Sequence, residues 1–290
     1  MRRKILLMSA IPFLLAACAG QRNGADDVPD TTRHVDAMAR EHAHETPTPS
    51  PAALAEPAVP VDTQTVTYGT VDGKAARGYL AAPAAASGAT LPGVILVHEW
   101  WGLNDNIRAM ARQLAGEGYR VLAVDMYGGQ VATTPQEAQA YMREVVADPD
   151  RGSAHLASAA LYLRQQPRAG KLGIMGWCFG GGWALQGALE LPERIDAAVM
   201  YYGRVVTDRA RLARLDAPLL GHFGAEDRGI PVDSVRAMEG ALRELGKEVT
   251  IHVYPGAGHA FANPSGQSYN ARAAEQAWER TKEFLARTLK

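Results

Sequence analysis

Lys171-Leu172-Gly173-Ile174-Met175-Gly176-Trp177-Cys178-Phe179-Gly180-Gly181-Gly182 is the stretch that decides the fold. Its first five residues are an apolar run short enough for a buried strand, and Trp183-Ala184-Leu185-Gln186-Gly187-Ala188-Leu189 reads as a helix. Between them lies a turn of the G-x-S-x-G type, a nucleophile elbow, with cysteine at the serine position. Such a turn strains its central residue and brings strand and helix together, so a Cβ at Gly176 or Gly180 would crowd one or the other. A buried structural cysteine beside a glycine-rich turn would leave the same trace, so the residues further along carry the decision.

Strands and helices alternate on both sides of the elbow. Gln64-Thr65-Val66-Thr67-Tyr68 and Ala76-Arg77-Gly78-Tyr79-Leu80, joined through Val71-Asp72-Gly73-Lys74, have the pattern of a hairpin. Gly93-Val94-Ile95-Leu96-Val97 is a continuous apolar run, as a parallel strand covered on both faces requires. Asn104 or Asp105 caps a helix with Ile107, Met110 and Leu114 on one face. Strands are expected at 120–124, 197–202, 218–223 and 249–254. Helices are expected at 135–146 and 153–164, around Val235 to Leu245, and around Trp278 and Leu285. This alternation predicts a single α/β domain over residues 61–290, a mostly parallel sheet with helices on both faces and its chemistry at the carboxyl ends of the strands.

Composition sets the outer bounds. The 290 residues are 47% hydrophobic and 21% charged with a net charge of −1, a globular balance without the basic footprint of a nucleic-acid binder. Arg2-Arg3-Lys4 followed by an apolar stretch from Ile5 to Leu15 reads as a secretory signal over residues 1–17. The segment ends Leu15-Ala16-Ala17-Cys18, which resembles a bacterial lipobox and implies lipid attachment at Cys18. Residues 18–60 are rich in Ala, Pro and Thr and predict a disordered tether. His42 and His44 have the spacing of a metal pair, but a solvated tether is the preferred reading, since closed sites need three or four convergent ligands. Envelope localisation at the periplasmic face of the outer membrane is expected, as is a monomer.

Three strand ends carry reactive residues in order: Cys178, then Asp227 in Gly224-Ala225-Glu226-Asp227, then His259 in Gly256-Ala257-Gly258-His259. Nucleophile, acid, histidine is the chain order of the α/β-hydrolase fold. With Gly-x-Cys-x-Gly-Gly at 176–181, Gly-His-x-Phe at 258–261 and His-Glu-Trp-Trp-Gly-Leu at 98–103, the chain resembles the dienelactone hydrolase family over residues 61–290. The resemblance implies a Cys178–His259–Asp227 triad that cleaves lactones or esters through a thioester, without cofactor or metal. It also implies that Glu99 hydrogen-bonds the resting thiol, and that Tyr141 contacts substrate. The backbone N–H groups of Phe179 and Trp100 are the expected oxyanion hole, and Trp101 a pocket residue. Dienelactone-cleaving members grip the substrate carboxylate with two arginines, where this chain has Ala260-Phe261-Ala262-Asn263 and Glu137. The expected substrate is therefore a small neutral ester or lactone. A thioesterase or peptidase on the same fold is the alternative, and a non-catalytic envelope-binding lipoprotein is a second.

Overall fold

The computed structural model describes residues 30–45, 47, 56–57, 59–85, 88 and 90–290. The signal segment, Cys18 and most of the expected tether lie outside them. The order of elements is α1 (Asp30–Glu41), β1 (Val61–Val71), β2 (Lys74–Pro83), β3 (Leu91–Val97), α2 (Asp105–Gly116), β4 (Arg120–Val124), α3 (Pro135–Ala147), α4 (Pro149–Arg164), β5 (Ala169–Trp177), α5 (Phe179–Glu190), β6 (Ala197–Tyr201), α6 (Arg209–Leu212), β7 (Leu219–Gly224), α7 (Val232–Glu244), β8 (Val249–Tyr254) and α8 (Ala271–Leu289).

The strands form one sheet in the order β1-β2-β4-β3-β5-β6-β7-β8. β1 and β2 are an antiparallel hairpin, β2 meets β4 antiparallel, and every pairing from β4 to β8 is parallel. Burial follows position. All seven residues of the inner strand β3 are buried, whereas the edge strand β1 is largely open to solvent. Neighbouring residues of β5 show helices on opposite faces. A Cβ at Gly173 would meet Leu289 and Leu285 of α8, while Ile174 packs toward Gly187 of α5. This is the α/β-hydrolase architecture expected from the alternation of elements.

The turn after β5 shows why the glycines are there. Cys178 has φ 52° and ψ −117°, a strained conformation for a side chain with a Cβ. A Cβ on Gly176 would sit 2.4 Å from the Gly180 carbonyl oxygen, and one on Gly180 would sit 2.2 Å from that of Val97. The backbones of β3, β5 and α5 therefore close around the cysteine with no space for side chains.

The N-terminal stretch departs from the disordered tether expected of it. Within the stretch read as a disordered tether, Asp30–Glu41 forms a helix whose Val35 and Met38 are buried, with His42 and Glu45 buried just beyond its end. Asp36 docks it on α3, accepting from Arg143 at 2.6 Å and from Gln139 at 3.1 Å. The segment is ordered because Val35 and Met38 find an apolar seat on the domain. Such a seat is a tertiary effect that local composition does not register.

Candidate active site

Each strand end delivers one group. Cys178 follows the last residue of β5, the loop after β7 carries Asp227, and the loop after β8 carries His259. The structure brings the three expected residues together. His259 Nδ1 lies 2.8 Å from Asp227 Oδ2, and His259 Nε2 lies 3.2 Å from Cys178 Sγ. Asp227 is itself fixed, since its Oδ1 accepts from the backbone N–H groups of Gly229 and Ile230 at 2.8 Å each. Those bonds hold the carboxylate so that its other oxygen fixes the imidazole, leaving Nε2 aimed at the sulfur.

All three side chains are buried. Burial alone pushes the Cys178 thiol up, but the charge and hydrogen bond of His259, joined by the His42 ring beside it, pull it down from 9.0 to about 6. Burial lowers His259, yet the sulfur and Asp227 outweigh it and hold the ring well above the ordinary histidine value. A thiol pulled down beside an imidazole held up favours a thiolate–imidazolium pair, a form in which a cysteine can act as a nucleophile. Phe179 opens α5, so its N–H is among the donors with no partner inside the helix and lies next to the sulfur in sequence. Trp100 lies in the turn after β3, fully buried. Phe179 and Trp100 thus belong to the two segments whose backbones meet at the elbow.

Comparison with known proteins bears on the same residues. The profile described as "Dienelactone hydrolase family" matches residues 76–289. The chain belongs to the dienelactone hydrolase family. A protein of Saccharolobus solfataricus named "Putative carboxymethylenebutenolidase" is 33% identical over 256 residues, covering 76% of this chain and 96% of that one. A Salmonella typhimurium protein of the same name is 35% identical over 233 residues, covering 72% and 81%. Among solved structures, the "Putative Dienelactone Hydrolase" of Klebsiella pneumoniae superposes with a TM-score of 0.70 at 31% identity, covering 78% of this chain and 99% of its own.

Against the family pattern, Glu99 departs from expectation. It is buried at the site, but it does not bond the thiol. Its two oxygens accept from Tyr202 Oη at 3.3 Å and Asn263 Nδ2 at 2.8 Å. Burial, followed by the charge of Cys178, pushes its carboxyl up to about 8, which favours the protonated form. Asn263 stands in the stretch where carboxylate-binding members of the dienelactone hydrolase family have an arginine, and it is spent holding Glu99. Glu137 is spent as well, accepting from the Thr133 backbone N–H and hydroxyl at 2.8 Å each. Trp101 is buried against Trp100 and Tyr141 packs toward Tyr127, with ring centroids 5.0 Å and 5.7 Å apart. A cleft of about 480 Å³ runs beside Phe179, lined in part by Met142, Trp183, Val205 and Arg204.

Sequence reasoning missed what covers the sulfur. Met38 of α1 is fully buried with its Sδ 3.7 Å from Cys178 Sγ, in a seat that the missing side chain of Gly229 leaves open. The His42 ring stacks on Trp100 at 4.6 Å and meets His259 edge-on at 5.4 Å, while its Nδ1 lies 2.6 Å from Glu45 Oε2. Burial would lower this histidine, but the sulfur and Glu45 raise it to about 9. The detectable signal was Val35, Met38 and His42 at i, i+3 and i+7.

Proposed function

We propose that this dienelactone hydrolase family member cleaves small neutral esters or lactones through Cys178. The thiolate attacks the substrate carbonyl, and the oxyanion is held by the N–H groups of Phe179 and Trp100. His259 then gives its proton to the leaving alkoxide as the tetrahedral intermediate collapses to a thioester. Water, deprotonated by His259, hydrolyses the thioester and restores the thiol. Asp227 keeps the imidazole oriented throughout and stabilises its charged form.

The observation that carries this reading is the unbroken chain Asp227 Oδ2–His259 Nδ1, His259 Nε2–Cys178 Sγ at 2.8 and 3.2 Å. A neutral substrate follows because Asn263, bonded to Glu99, and Glu137, bonded to Thr133, stand where carboxylate-binding members have arginines, so a substrate carboxylate would lack its bidentate partners. Because Met38 lies on the sulfur, α1 withdraws before substrate enters. We also infer a secretory signal and a lipid anchor at Cys18 facing the periplasm. Among the described residues no helix is long and apolar enough to cross a membrane.

A panel of p-nitrophenyl esters tests the activity with wild type and Cys178→Ala. Loss of turnover in the variant is expected, whereas equal turnover in the two proteins refutes the cysteine mechanism. Membrane fractionation tests the anchor: Cys18→Ser should become soluble, and continued membrane partitioning refutes attachment through that sulfur.

A further inference from the structure

Cys178 is flanked by two carboxylate-backed imidazoles, although acyl transfer needs one. On one side stands His259, with Nδ1 on Asp227 and Nε2 3.2 Å from the sulfur. On the other stands His42, with Nδ1 on Glu45 at 2.6 Å. His42 is only 3% exposed, and its Nε2 makes no geometrically sound hydrogen bond among the described residues. The sulfur and one ring nitrogen from each histidine lie within 4.8 Å of one another. Met38, one helical turn before His42, adds a buried thioether 3.7 Å from the thiolate sulfur.

We propose that Cys178, His42, His259 and Met38 bind a single copper ion as Cu(I). A thiolate, two neutral imidazoles and a weak thioether are the donors that select copper, whereas hard cations take carboxylate, carbonyl and water. Zinc favours thiolate and imidazole too, but gains little from a thioether. Both histidines already have the outer arrangement of metal ligands. A carboxylate on Nδ1 fixes the tautomer and raises the basicity of Nε2. Donors bound at about 2.0–2.3 Å around a tetrahedral ion stand roughly 3.3–3.8 Å apart, so a shift of about 1 Å closes the set. The sulfur meets the ion as the thiolate it already is, and the protons on the His259 and His42 rings leave to solvent as their Nε2 atoms take the metal. Copper stays Cu(I), and no electron changes hands. The ion occupies the nucleophile and pins α1 over the cleft. That silencing of turnover rests on the hydrolase reading above, whereas the binding itself does not.

The test titrates the full-length reduced protein anaerobically with Cu(I) against the coloured chelator bicinchoninate, which reads binding without any use of activity. One Cu(I) per chain is expected to be withdrawn from the chelator. Cys178→Ser should abolish binding. His42→Ala and Glu45→Gln should each weaken it by about tenfold or more, and the near-isosteric Met38→Leu by a few-fold. Circular dichroism checks that the variants stay folded, and Met38→Leu keeps the test decisive if His42→Ala does not. Absence of copper uptake by the wild type overturns the proposal. So does full affinity in both His42→Ala and Met38→Leu, which reduces the site to Cys178 and His259 alone. Displacement of Cu(I) by equimolar Zn(II) overturns the choice of metal. If Cys178→Ala still hydrolyses esters while the wild type binds copper, the cysteine mechanism fails and the copper site stands.

Discussion

The seat of α1 gives the sharpest quantitative expectation. Val35 and Met38 are 1% and 0% exposed, and the Asp36–Arg143 pair beside them is largely solvated and adds little. Met38→Ala removes three buried heavy atoms, about 2.4 kcal/mol at roughly 0.8 per group, and Val35→Ala removes two, about 1.6 kcal/mol. If substrate and reagents reach the sulfur only after the helix lifts, those losses multiply the open population by roughly 60-fold and 15-fold. The assay is the iodoacetamide labelling rate at Cys178, followed on its peptide by mass spectrometry at fixed pH. Both variants should label faster, Met38→Ala more than Val35→Ala, with ester turnover rising alongside. The Val35 arm decides between gating and local crowding, because a cavity left by Met38 alone would also admit reagent. Unchanged labelling in Val35→Ala would refute the gate.

Three further expectations concern the chemistry beneath the helix. Asp227→Asn can keep its bonds to Gly229 and Ile230 while presenting an N–H to His259 Nδ1, which imposes the wrong tautomer; kcat should fall by about a hundred- to ten-thousand-fold with the fold intact. Because the thiol is pulled down to about 6, wild-type labelling should climb through that pH and level off above it, and in His259→Ala the same limb should move upward; an unmoved limb would separate the histidine from the thiol. Glu99, raised from 4.5 to about 8, makes the folded protein bind the extra proton between those values. Its contribution to stability is thus full below the lower value and lost as pH rises through the upper one. Glu99→Gln should flatten the fall of Tm between pH 5 and 8, and an identical slope in both proteins would contradict a buried neutral acid.

The elbow, the hairpin and the order of the three reactive residues were legible in the sequence because backbone sterics and periodicity are local signals. Gly176 and Gly180 state in residue identity what the coordinates state in distance. The partners of Glu99 were not legible. Tyr202 and Asn263 reach it from the ends of other strands, and no spacing rule links positions 99, 202 and 263. Helix α1 was hidden differently. Val35, Met38 and His42 do have helical spacing, but two apolar residues among polar neighbours cannot hold a helix in water. Only the seat beside Gly229 and Cys178 makes them a core, and with it His42 becomes part of the site.

The proposed mechanism passes through a covalent bond between substrate and one sulfur. Rapid acid quench during turnover of a slowly deacylating ester, followed by peptide mass spectrometry, looks for that bond directly. An acyl mass on the peptide containing Cys178, cleared by hydroxylamine and missing from Cys178→Ala, is the predicted result. Sustained turnover with that peptide unmodified at every quench time, or with the acyl group on another residue, would contradict it.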